Sequence, residues 1–135
     1  MSAAGRAESD LARLVAGMRP ELQGGTYVFC TLADGALPAG VAPLATFREA
    51  EGVTAVLRAE EAQAHGLAGV FEAAWITLNV HSDLAAVGFL AAVSSALARE
   101  GIPCNAMAAF HHDHLFVPVG MAERAMAVLL RLEAS

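Results

Sequence analysis

The sequence predicts an α+β, ferredoxin-like fold made of two degraded copies of one unit behind an N-terminal helix. Three observations lead there. Residues 26–74 read as β-β-β-α-β, and residues 75–133 read as β-α-β-β-α. Apolar residues make up 56% of the 135 positions and charged residues only 16%, which is ample material for a packed core. The expected organisation is an arm and helix over 1–25, a first unit over 26–74 and a second over 75–135.

Each element follows from a local signal. Ser9 is placed to cap a helix whose apolar positions Leu11, Leu14, Val15 and Met18 keep helical spacing, and Arg19-Pro20 stops it. Gly24-Gly25 turns the chain into a strand over Thr26–Leu32, rich in β-branched and aromatic residues. Residues 33–43, with prolines, glycines and the pair Asp34-Gly35, read as a loop. Leu44–Arg48 and Val53–Arg58 are short strands joined by the charged turn 49–52. Ala59–His65 is a short helix closed by Gly66, and Val70–Val80 is extended. Ser82 is expected to cap a long helix that runs to Glu100 and ends at Gly101. Ile102–Phe110 is a strand, His111–His114 a turn and Leu115–Val119 the returning strand. After Gly120 comes a last helix with Ala125, Val128, Leu129 and Leu132 on its inner face.

Set against a complete β-α-β-β-α-β unit, the first copy lacks its first crossover helix. The second lacks its last strand, which must be missing or donated from elsewhere. The helix expected from Leu84 onward carries no charge between Asp83 and Arg99, so it is predicted to be covered on two faces. A second copy of the chain can cover the outer face, so a homodimer or higher homo-oligomer is expected.

Charge and composition exclude several functions. Lysine is absent and the net charge is −6, which removes a Schiff-base enzyme and a P-loop and argues against a nucleic-acid partner. The longest apolar run, Leu84–Val93, is far shorter than the ~18–20 residues that span a bilayer, so no membrane is expected. Arg6, Glu8, Asp10 and Arg13 interrupt the first residues, so no signal peptide is read and the protein is expected to be cytoplasmic. Cys30 and Cys104 sit in apolar segments as small core residues of a reduced protein. Neither cysteine nor Ser94 or Ser95 has a spacing that makes it a nucleophile, so no catalytic residue and no cofactor is predicted.

Four places can carry chemistry. In Trp75–Asp83 a strand feeds a helix, and free N–H groups at Ser82-Asp83 offer a seat for a carboxylate, with Asp83 itself offsetting part of that field. Asp83 or Asp113 can take an ammonium group, and Asn79 and Asn105 can supply neutral hydrogen bonds. Asn105, inside an apolar strand, is expected to be buried and to need a partner. His111–His114 invites a metal reading with His81 as recruit, but a tight turn cannot converge three or four ligands, so no metal is expected. Arg48 can pair a ligand carboxylate or its neighbours Glu49 and Glu51.

These strings also carry a family likeness. Tyr27-Val-Phe, Phe47-Arg-Glu-Ala-Glu-Gly-Val-Thr54, Trp75-Ile-Thr-Leu-Asn-Val-His-Ser82, Ala86-Val-Gly88 and His112-Asp-His-Leu-Phe-Val-Pro118 resemble the small bacterial tandem ACT-domain proteins of unknown function. The resemblance implies ferredoxin-like modules that associate side by side through their sheets, and kinship with the tandem ACT arginine sensor of animal cells. It implies a small ligand, often an amino acid, near the junction of first strand and first helix, here Asn79–Leu84 and including His81, with His112, Asp113 and His114 completing the pocket. The family's common pattern has a glycine just before the first helix, and this chain has Ser82-Asp83 there. The expected function is a stand-alone regulatory or sensor protein without enzymatic activity. The alternatives are an interaction module with no ligand, or a metal-binding protein using the His111–His114 turn.

Overall fold

The computed structural model describes residues 7–135. Among them the chain forms α1 (Leu11–Ala16), β1 (Pro20–Leu22), β2 (Tyr27–Leu32), β3 (Ala45–Glu49), β4 (Gly52–Arg58), α2 (Ala59–Ala64), β5 (Val70–Leu78), α3 (Phe89–Arg99), β6 (Asn105–Ala108), β7 (Asp113–Pro118), a 3₁₀ turn (Val119–Met121) and α4 (Ala122–Ala134). Two compact units emerge among the described residues, 24–74 and 7–23 with 75–135, so the N-terminal helix groups with the second unit.

In the unit of residues 24–74, β2 and β4 pair antiparallel from Tyr27↔Arg58 to Leu32↔Val53, and β3 adds to the far side of β4. The start of β5 pairs β2 at Tyr27↔Ala73 and Phe29↔Val70, with a register shift at Phe71, whose φ is 60°. The β3–β4 turn needs glycine at 52. Its φ is 148°, and a Cβ there would stand 2.6 Å from the Leu32 carbonyl oxygen. Alternation along β2 and β4 places Val28, Cys30, Leu32, Ala55 and Leu57 in one core with Ala62 of α2. Where the ferredoxin-like order has a crossover helix, residues 33–44 run as a loop, and its Leu37 and Val41 pack on that core instead.

In the other unit the missing strand is found. β1 pairs antiparallel with β5 at Pro20↔Leu78, Glu21↔Thr77 and Leu22↔Ile76, and β7 lies on the other side of β5 with β6 beyond it. The edge strand thus comes from upstream of the unit it completes. Ile76, Leu78, Leu115 and Val117 are fully buried, as are Leu14, Val93, Leu97, Ala125 and Leu129 of the helices. This is the core that alternation on β5 and β7 and the 3.6-residue spacing on α4 prescribe.

Three local expectations are corrected. The N-cap of α1 is Asp10, whose carboxylate accepts the Arg13 N–H at 3.0 Å, and not Ser9. The long helix begins at Phe89 rather than after Ser82, so Leu84 and Val87 lie in a loop at 66% and 83% exposure instead of on a covered helix face. β6 is only four residues long, and Asn105 at its start is exposed rather than buried.

Candidate functional site

The segment between β5 and α3 has its shape set by the N-terminal arm. Glu8 donates its N–H to the His81 carbonyl at 2.7 Å and accepts the Asp83 N–H at 2.8 Å, forming a parallel bridge opposite Ser82. The Asp83 carboxylate then accepts the Ala85 N–H at 2.9 Å, and its carbonyl accepts Ala86. The Asp83 N–H is therefore spent on Glu8. With α3 starting at Phe89, Ser82-Asp83 is not the helix start expected from the sequence to supply free N–H groups.

Gly88 moves it downstream. At φ 96° Gly88 sits in the left-handed region, which ends the loop and starts α3 at Phe89. No side chain caps this helix and no acidic residue stands in its first turn. The Gly88 carbonyl accepts the Ala92 N–H at 2.9 Å, which leaves the N–H groups of Phe89, Leu90 and Ala91 at the positive end of the helix dipole. A glycine thus stands immediately before this helix, six residues beyond Ser82.

In front of this helix start lies a pocket of about 150 Å³, bounded by the loop from Ser82 to Gly88, the first turn of α3 and, from the β6–β7 hairpin, Ala108 and Asp113. Ser82 and Asp113 are each 5% exposed, and the Ser82 hydroxyl donates to Asp113 Oδ2 at 3.0 Å. No Arg or His lines the pocket. The charged features of its lining are a helix N-terminus and two carboxylates, Asp83 and Asp113.

Of the residues singled out by sequence, Ser82, Asp83, Leu84 and Asp113 meet at this pocket. The others do different work. The Asn79 amide donates to the Arg19 carbonyl at 3.1 Å and to Glu21 at 3.0 Å, tying β5 to the β1 segment. The His81 ring stands 5.2 Å from that of His111 and 6.5 Å from that of Phe110. His114 Nδ1 accepts the Trp75 indole N–H at 3.0 Å and lies 3.1 Å from the Thr77 hydroxyl. Burial, and then the neighbouring His112, push the His114 imidazole below its usual range, against the opposing pull of Asp113. Asn105, exposed, does not line the pocket; Arg48, exposed on β3, belongs to the other unit, and the Glu49 carboxylate beside it accepts from Thr54.

Sequence reasoning did not name Ala86, Gly88, Phe89, Leu90, Ala91 and Ala108 as site residues. A usable signal was Gly88 itself, an isolated glycine inside an otherwise helical run. Among the described residues no group of three or more His, Cys, Asp or Glu can hold a metal ion, and both cysteines are free. No helix of the described residues is long and apolar enough to cross a membrane.

Comparison with known proteins agrees with this architecture. Residues 6–74 match one ACT-domain profile and residues 70–131 match another. A Vibrio cholerae protein of unknown function, called a possible transport protein, is 46% identical over 91% of this chain and 95% of its own, with a TM-score of 0.83. A protein from Agrobacterium tumefaciens is 21% identical over 84% of this chain and 87% of its own, with a TM-score of 0.68. The regulatory subunit of aspartate kinase from Thermus flavus is 11% identical over 84% of this chain and 95% of its own, with a TM-score of 0.64. The last two share the fold. No curated protein matches the chain.

Proposed function

The chain belongs to the ACT-domain family, and from that premise we propose that it is a non-enzymatic regulatory or sensor protein whose pocket holds an α-amino acid. The observation that supports this most is Asp113, a residue 5% exposed in the lining of a pocket that also includes an uncapped helix start. A zwitterion matches both features. Its carboxylate suits the N–H groups of Phe89, Leu90 and Ala91, and its ammonium suits Asp113 and Asp83 by charge-assisted hydrogen bonds.

The same layout selects among amino acids. With no cationic side chain in the lining, a second carboxylate on the ligand would face only Asp83 and Asp113. A volume of about 150 Å³, below the ~300–1,000 Å³ of drug-sized sites, favours a short side chain against Leu84, Phe89 and Leu90. The reading is therefore a small, uncharged α-amino acid rather than an acidic or large one.

A thermal-shift screen over the twenty amino acids tests it. At 100 times its dissociation constant a ligand adds about 2.7 kcal/mol, a rise on the order of 5–15 °C for a chain of this size. Asp113→Ala should abolish the shift. If no amino acid at millimolar concentration moves the melting temperature, the interaction-module reading takes over. The exposed Leu84 and Val87 beside the pocket favour it as the second choice.

A further inference from the structure

An imidazole nitrogen that accepts hydrogen bonds cannot carry a proton at the same time. His114 Nδ1 is held in that accepting state. The Trp75 indole N–H donates to it at 3.0 Å, and the Thr77 hydroxyl faces it at 3.1 Å. The Thr77 oxygen is itself occupied by the Gln23 side-chain amide at 3.0 Å, which turns the hydroxyl proton toward His114. Thr77 is 4% exposed, so water cannot readily replace these partners. The relay Gln23–Thr77–His114–Trp75 joins the end of β1, the strand β5 and the start of β7.

We propose that His114 is an acid-sensitive latch: neutral, with its proton on Nε2, it holds the start of β7 to β5, and protonated at Nδ1 it turns a third donor toward the two already facing it and releases it. The charged groups around it within its unit are few. His112 is the nearest, with its ring 6.4 Å away, and Asp113 precedes His114 on β7. Glu21 on β1 stands opposite Thr77 in register and accepts from Asn79. Residues 75–78 of β5 and all of β6 carry no charge, and Met107 is the residue opposite His114. Burial and His112 oppose protonation while Asp113 favours it, so release falls on the acid side of neutrality. The residue next to the latch is the pocket carboxylate Asp113, so release loosens the segment that carries the pocket wall.

Trp75 is the chain's one tryptophan and reports on the latch directly. Its emission, titrated from neutral to acid pH with unchanged far-ultraviolet circular dichroism, should change with a midpoint below the ordinary imidazole value of 6.5. His114→Gln, whose amide oxygen can accept from the same donors without titrating, should lose the transition. His112→Gln should keep it and move the midpoint upward by removing a neighbouring positive charge. An undiminished transition in His114→Gln, or a midpoint at or above 6.5, overturns the proposal. Should His114→Gln not fold, nitrogen NMR of the unmodified ring decides: a bare Nδ1 at neutral pH is expected, and a proton there overturns the latch.

Discussion

The Ser82 hydroxyl and the Asp113 carboxylate are 31 residues apart in sequence and 3.0 Å apart in the fold, both buried at the wall of the pocket. A neutral donor to an ionised acceptor contributes roughly 1.5–3 kcal/mol. The bond fixes the loop before α3 to the first residue of β7, so the pocket's shape and one of its two carboxylates are set by the same contact. Asp113 thereby has a structural partner at Oδ2.

Removing the donor isolates that structural part. Ser82→Ala leaves a buried carboxylate oxygen without its partner and should cost about 1–3 kcal/mol, or several degrees in melting temperature. Ser82→Thr keeps the hydroxyl and should recover most of the loss. Equal melting temperatures for Ser82→Ala and the parent protein would remove the bond from the account of the fold.

Gly88 can be tested by conformation alone. A Cβ at this position would meet Leu11 Cδ2 at 3.4 Å, an ordinary contact, so the penalty of Gly88→Ala lies in φ 96°. The left-handed region costs a side chain roughly 1–2 kcal/mol, which denaturant unfolding would register as a lower midpoint with unchanged slope. Gly88→Asn should cost less, because asparagine tolerates this region better than alanine. A neutral Gly88→Ala would show that α3 does not need this start.

The lowered imidazole of His114 makes stability depend on pH in one direction. Its contribution is complete above 6.5, where folded and unfolded chains are both neutral. As pH falls through that value the unfolded chain takes up the proton first, so stability declines until the lower folded value is passed. The difference in melting temperature between the parent and His114→Gln should therefore change across slightly acid pH and stay constant above neutrality. A constant difference throughout would contradict the shift.

The outer side of α3 presents Ala91, Ser94, Ser95 and Ala98 to solvent. Small uncharged residues let a second backbone approach closely, and a homodimer through this helix should give about twice 13.9 kDa by light scattering. Ala98→Glu should return the chain to a single copy. A mass of one chain for the parent protein at micromolar concentration would exclude the dimer.

Much of the fold was legible because its signals are local. The glycine and charges of the turn over 49–52 separate β3 from β4, and the spacing of Ala125, Val128 and Leu129 marks the buried face of α4. The strings around Trp75–Ser82 and His112–Pro118 likewise carry the ACT likeness in consecutive residues. Part of the pocket was within reach for the same reason, since Ser82, Asp83 and Asp113 are polar residues near element ends. The start of α3 was not, because an uncharged run of alanine, leucine and valine suits a helix on both sides of Gly88, and helix propensity does not record a positive φ.

By itself, then, the sequence determined the order of the strands and helices from β2 onward and the repeated unit, both of which depend on residue type and short spacing. Tertiary structure alone decided which residues meet. β1 is three residues long and begins with proline, so no periodicity marks it, and it becomes a strand by pairing with Ile76–Leu78. Asn79 went to the β1 segment, His114 to Trp75 and Thr77, and the Asp83 N–H to Glu8, each across a separation no local pattern encodes. A polar side chain's role is set by the partner that satisfies it when water is excluded, and that partner is chosen only when distant segments pack together.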